Sequence, residues 1–315
     1  MDRMTLSELI RVARGEEPAE IVLKGGKVAD LAGMKFVETD VAIHKGIIVG
    51  MGDYSGIEEV DTSGKIITPG FMDAHVHVES SMVSPAEFAK AVVPLGTVAI
   101  VADPHEITNV CGLNGIRYIL ASNRELPLDI NVMLPSCVPA THLETSGADI
   151  EAEDLLSMKN EKGVLGLAEM MNYPGVLFRD EGVLAKLIDF YDRPIDGHAP
   201  MLSGKDLNAY RLAGPSSEHE STTANEALEK LQAGMHIFVR EGSVTRDLSE
   251  LLPGINQLNF RFFSFATDDR EPVDLVEEGH INFLLKKAVS QGLDPIIALS
   301  MASYNTANHY GMARR

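Results

Sequence analysis

The chain has 315 residues, 45% hydrophobic and 23% charged, the ordinary composition of a soluble globular protein with a large buried core. Its 46 Asp and Glu outnumber 27 Lys and Arg, and the formal charge of −19 argues against a phosphate-backbone partner, so no nucleic acid is expected. No apolar run approaches the ~20 residues that span a bilayer, and Cys111 and Cys137 alone make neither a disulfide framework nor a Cys-rich zinc site. A reducing cytoplasm, away from membranes, is the expected compartment.

The first segment, MDRMTLSELIRVARGEEPAE, is charged and reads as a short amphipathic helix rather than a signal peptide. EIVLKGGKVAD and FVETDVAIHKGIIVGMG then look like paired strands around Gly-rich turns, a small β module within residues 1–65. From residue 66 to 315 the pattern changes to short buried-type strands alternating with helical spacing. The strand candidates are KIITPGFMDAH, TVAIVAD, INVMLPS, GVLGLAE, PIDGH, PSSEH, HIFVRE and RFFSFATD. Between them lie SPAEFAKAVVPLG, NGIRYILASNR, EAEDLLSMKNEKG, DEGVLAKLIDFYD, GKDLNAYRLAG and TTANEALEKLQAG, several ending at Gly, a common helix stop. Eight such units predict an α/β fold, a (β/α)8 TIM-like barrel beside a small N-terminal β module. A doubly wound open sheet is the alternative, but no G-x-G-x-x-G follows a first strand.

Metal-competent side chains fall at the C-terminal ends of the predicted strands. They are His75 and His77; Asp103, His105 and Glu106; Glu169; His198; His219; and Asp268. His75 and His77 are one residue apart and share a side if their run is a strand. In a β/α barrel all these ends gather on one rim, where active sites are built. Four imidazoles and two carboxylates suit two divalent ions, with Glu169 bridging through its two oxygens and Asp268 serving as ligand and general base. Such a centre lowers the pKa of bound water towards about 7. Zn, Fe and Mn all suit these donors.

PGFMDAHVHVESSM, ADPHEI, GLAEMMN, DGHAP, SGKDLNAY, EHES and ATDDREPVDLVEEGHI together resemble the adenine deaminases of the amidohydrolase superfamily, from about residue 20 to the last residue. The resemblance implies a barrel of the metal-dependent hydrolase type with an incomplete N-terminal β module, and hydrolysis of adenine to hypoxanthine and ammonia, a purine-salvage reaction, by hydroxide activated at a binuclear centre. Manganese or iron is the metal it implies, with zinc as an alternative, and the small molecule adenine is the partner; a homo-oligomer is compatible with it. It carries ligand roles onto His75, His77, Glu169, His198, His219 and Asp268, and makes Asp268 the proton acceptor.

The reaction also needs a proton donor to a ring nitrogen. Glu106 is the candidate, or else a supporting partner of His105, which itself is read as a substrate contact, an extra-metal ligand or a loop anchor. Glu79, Ser80 and Ser81 are expected to orient the H-x-H imidazoles. Asp269 is expected to cap its loop or pair with Arg270, Ser203 to cap a helix, and Cys111, Cys137, Met170 and Met171 to pack.

The chain departs from the family at Glu218 and Ser221, where Asp and Cys are usual, and at Ala266, where Cys is common. Family members also continue past the barrel with strands that complete the β module, so an unpaired strand edge is expected here. Two rivals therefore stand beside the deaminase reading. One is a cyclic amidase of the dihydroorotase or hydantoinase kind, against which Glu169 stands in place of a modified lysine. The other is a truncated, inactive metal-binding relative.

Overall fold

The computed structural model describes residues 1–313; Arg314 and Arg315, the end of the expected barrel segment, lie outside the described residues. The chain divides into two compact units, Met1–Pro69 and Gly70–Arg315.

The first unit holds the expected helix, Arg3–Ala13, whose N-terminus is capped by the Asp2 carboxylate accepting from Thr5 N at 2.8 Å. Seven strands follow: β1 (Ala19–Lys24), β2 (Lys27–Asp30), β3 (Lys35–Glu38), β4 (Val41–His44), β5 (Ile47–Met51), β6 (Gly56–Asp61) and β7 (Ile66–Ile67). β4 and β5 form an antiparallel hairpin. Its turn residues Lys45 and Gly46 have φ of 50° and 71°, the left-handed pair that a two-residue turn requires.

EIVLKGGKVAD behaves differently from expectation. β1 pairs with β4 and β6 in one sheet, while β2 pairs with β3 and β7 in another. The Gly25–Gly26 turn thus carries the chain from sheet to sheet. A Cβ on Gly26 would sit 2.7 Å from Thr62 Oγ1, so glycine permits that crossing. KIITPGFMDAH is likewise not one strand, because Ile66 and Ile67 pair with β2 and the second unit begins only after Pro69.

The second unit contains β8 (Phe71–His77), β9 (Thr97–Ala102), β10 (Asp129–Leu134), β11 (Val164–Met170), β12 (Ile195–Gly197), β13 (Ser217–Glu218), β14 (His236–Arg240), β15 (Phe263–Ala266) and β16 (Asp268–Asp269). They form a six-stranded parallel sheet ordered β12-β11-β10-β9-β8-β16 and a three-stranded parallel sheet ordered β13-β14-β15. Helices lie between the strands at the predicted places, among them Pro85–Val92, Leu113–Ser122, Ala152–Met158, Glu181–Asp189, Gly204–Leu212 and Ala224–Gln232.

The sheets approach each other at both ends. Gly197 N donates to Ser217 Oγ at 3.3 Å, and a Cβ on Gly197 would lie 2.3 Å from the Ser217 carbonyl, so only glycine admits β13 this close. At the other end the chain leaves β15 and, one residue later, pairs with β8 as β16.

Neighbouring residues of one strand enter different apolar clusters, as a period of two dictates. Ile100, Ala102, Val132 and Leu134 pack with Phe88, Leu155 and Leu187, whereas Val101 and Met133 pack with Ala74, Ala168, Phe238 and Ala266. With both faces covered, each of the Val, Ile, Leu, Met and Phe side chains among these contributes roughly 1.5–3 kcal/mol. Among the described residues no helix is long and apolar enough to cross a membrane.

Candidate metal centre

His75, His77, Glu169, His198, His219 and Asp268 stand at or just past the C-terminal ends of β8, β11, β12, β13 and β15, and the fold brings all six together. The Nε2 atoms of His75 and His77 are 3.1 Å apart, on one side of β8. The pairing of β8 with β9 shifts register between Asp73 and Val76, the interval that carries His75, and β11 shifts against β12 between Leu167 and Met170, the interval that carries Glu169. Such irregularities re-aim side chains.

Glu169 turns one oxygen to each histidine pair. Its Oε1 lies 3.9 Å from His75 Nε2 and 3.5 Å from His77 Nε2; its Oε2 lies 2.5 Å from His198 Nδ1 and 3.2 Å from His219 Nε2. Asp268 Oδ1 faces the first pair, 3.5 Å from His75 Nε2 and 3.1 Å from His77 Nε2. Several overlapping sets of these atoms, including His75–His77–Asp268 and His75–Glu169–His219, are compact enough to hold an ion. Buried His219 Nδ1 and Asp103 Oδ1 find no hydrogen-bond partner among the described residues. Nitrogen and carboxylate donors in this arrangement fit divalent cations.

Electrostatics follow from the crowding. Burial opposes ionisation of Glu169, yet bonds to His198 and His219 hold its carboxyl well below the usual range. Burial likewise works against Asp268, but His75 and His77 hold it well below as well. His77 rises well above the ordinary imidazole value, since Asp268 and Glu106 outweigh its burial. His105 is pushed up to about 12, Asp103 prevailing over desolvation.

Residues 66–315 match the Amidohydrolase family. The chain belongs to the amidohydrolase family. It is 50% identical over 311 residues to an adenine deaminase of Petrotoga mobilis, covering 99% of this chain and 55% of that protein. An adenine deaminase of Cereibacter sphaeroides is 50% identical over 314 residues, covering 99% of this chain and 56% of its own. This amidohydrolase therefore spans about half the length of the relatives it matches. Among solved structures, N-acetyl-D-glucosamine-6-phosphate deacetylase from Mycobacterium smegmatis superposes with a TM-score of 0.66 at 14% identity, over 93% of this chain and 90% of that one. A zinc complex of atrazine chlorohydrolase from Arthrobacter aurescens gives 0.60 at 15% identity, over 93% and 83%. These two likenesses concern the fold.

Around the amidohydrolase centre some expected partners change. Glu79, Ser80 and Ser81 do not hold the imidazoles: Glu79 Oε1 accepts from Ile107 N at 3.2 Å, Ser80 donates to Asp269, and Ser81 donates to the Val78 carbonyl at 2.5 Å. His77 Nδ1 instead faces the Asp103 carbonyl at 2.9 Å and Glu106 Oε2 at 3.5 Å. Glu106 Oε1 also lies 3.4 Å from His105 Nε2, a contact that fits Glu106 as a supporting partner of His105. Burial raises the Glu79 carboxyl to about 7, with the Glu106 charge adding to it.

Asp269 does not pair with Arg270, whose guanidinium meets Glu278 at 2.7 Å and the Gly279 carbonyl at 2.8 Å. Ser203 stands at a helix start without a capping side-chain bond; Glu229 accepts from Gly204 N instead, at 2.8 Å. Cys111 is exposed rather than packed. Cys137 is buried beside His105, and burial pushes its thiol up to about 11. Glu218 is buried against Lys230 at 3.1 Å and accepts from Ala199 N at 3.0 Å, fixing the backbone beside His198. Ala266 packs in the apolar cluster of Phe238.

Two participants were not singled out from sequence. Glu220 Oε1 lies 3.6 Å from His219 Nε2 and 3.8 Å from His198 Nδ1. Arg240, at the end of β14, reaches Asp268 and Glu220 together. The signal was available for Arg240: a charged residue closing an otherwise apolar strand, HIFVR, at the same rim as the histidines.

Proposed function

We propose that the chain hydrolyses adenine to hypoxanthine and ammonia at a two-metal centre held by His75, His77, Glu169, His198, His219 and Asp268. The observation that carries this reading is Glu169, one oxygen toward His75 and His77 and the other toward His198 and His219. A cyclic amidase of the same family resemblance would place a modified lysine there. The roughly half identity to proteins named adenine deaminase supports the same substrate.

Two divalent ions held there would lower the pKa of water towards about 7. Asp268 accepts a proton as water adds to C6 of adenine, and Glu106 delivers one to a ring nitrogen. The proton on Asp268 then leaves with the exocyclic amine as ammonia, and the C6 hydroxyl proton returns to Glu106 as the carbonyl of hypoxanthine forms, which balances the hydrolysis. We read the two parallel sheets of the second unit as one closed barrel of eight strand positions, β15 and β16 being two parts of one interrupted strand, supported by the Gly197–Ser217 approach and by β16 pairing on β8. Residues 1–65 are read as the N-terminal helix and small β module. Manganese or iron is the proposed metal, with zinc as the alternative, in a cytoplasmic salvage enzyme; a homo-oligomer fits the same reading.

The test is ammonia release from adenine, guanine, cytosine and dihydroorotate in parallel after loading with Mn(II) or Fe(II). Release from adenine alone is expected. One rival is a metal-binding scaffold without turnover. Silence on all four substrates with both metals bound would establish that rival.

A further inference from the structure

Arg240 is 97% buried by its 3% residual exposure, yet its guanidinium is surrounded by three carboxylates. Nη1 donates to Asp268 Oδ2 at 3.0 Å and also to Glu220 Oε1; Nη2 donates to Glu220 Oε2 at 3.3 Å; Nε donates to Asp247 Oδ2 at 3.1 Å. The same nitrogen is therefore shared by Asp268 and Glu220. Asp268 consequently shows the histidines a single oxygen, Oδ1, while Oδ2 is engaged behind it. Its backbone is unusual as well: φ is 57°, a left-handed conformation in the non-glycine residue that opens β16. Such strain persists where surroundings over-determine it. Here those surroundings are β16 pairing on Val76 and the Arg240 fork.

Glu220 poses the complementary problem. Its carboxylate stands within 4 Å of ring nitrogens of both His198 and His219, close enough to compete for an ion. Arg240 engages both of its oxygens. A planar fork with several fixed donors suits this task, whereas a lysine ammonium is a single point charge.

We propose that Arg240 is a positioning residue that holds Asp268 as a one-oxygen carboxylate at the metal centre and keeps Glu220 out of the ligand set. The proposal rests on the two-metal reading above but not on adenine as substrate.

The test uses Co(II) as the loaded ion, with metal content by elemental analysis and the visible absorption spectrum as a report on ligand geometry. In Arg240→Lys, charge is kept but the fork is lost. The expected result is a folded protein with the cobalt spectrum altered and, with adenine, kcat lowered roughly 10–100-fold while KM changes little. An unchanged spectrum and kcat, with only a lower Tm, would overturn the proposal and leave Arg240 a structural ion pair. Should Arg240→Lys fail to fold, Glu220→Gln decides: unchanged cobalt content and spectrum support exclusion of Glu220, and loss of a cobalt equivalent refutes it by making Glu220 a ligand. A wild-type chain that takes up cobalt but releases no ammonia ends the adenine reading alone, leaving the spectral comparison valid. A wild-type chain that takes up no cobalt ends both.

Discussion

His77 and His236 are the same side chain at opposite ends of parallel strands, and their fates diverge. His77 closes β8 among carboxylates, and its protonated form is favoured despite burial. His236 opens β14, buried against Ser264 Oγ at 2.8 Å and beside His309, and burial together with the neighbouring imidazole holds it well below the ordinary value. Desolvation acts on both; what differs is whether acids stand opposite. The histidine-poor end opens into two cavities, about 1100 Å³ beside Asp129 and Gly163 and about 710 Å³ beside His236 and His309, and neither touches the acid-rich rim. The proposed metal centre therefore lines neither hollow.

The contrast is broken most severely by removing the shared acid. Glu169→Ala deletes the only carboxylate among the described residues that faces both histidine pairs, so the chain reconstituted with Mn(II) should fail to retain two ions by elemental analysis. Full loading would show that the pairs do not depend on it. Next in size, Asp268→Asn should lower kcat for ammonia release by about 10²–10⁴-fold as a lost general base. Glu106→Gln should cost about 10²-fold by the same measure, and an unchanged rate would return Glu106 to a supporting partner of His105.

The smallest effect concerns the other end. Because the folded pKa of His236 is depressed, the unfolded chain binds a proton that the folded chain refuses. Its stability is whole above the ordinary imidazole value and is lost as pH falls below it towards the folded value, with a slope reaching about 1.4 kcal/mol per pH unit. Urea midpoints for wild type and His236→Gln should converge as pH falls from 7 to 5. A constant gap between them would mean that His236 does not titrate in this way.

Much of the second unit was legible in local pattern. Buried parallel strands read as short runs of Val, Ile and Ala, and Gly ends the helices between them, so TVAIVAD and INVMLPS announce β9 and β10 directly. The H-x-H side agreement also follows from strand periodicity. The first unit was less legible, because the Gly25–Gly26 turn is a local signal whereas the partners of β1 and β2 lie up to forty residues away in the chain. The supporting roles of Glu79, Ser80 and Ser81 failed for a related reason. Proximity in sequence placed them near the imidazoles, but the short helical turn Val78–Ser81 directs them to Ile107, Asp269 and Val78.

From the order of its residues alone, this protein was committed to alternating strands and helices and to imidazoles and acids at strand ends, since both depend on spacing along one chain. Only the folded arrangement decided that Glu220 joins the histidines around the expected Glu169 bridge, and that Arg240 grips Glu220 and Asp268 at once. Those are distances between groups set by packing of remote strands, and no local period encodes them.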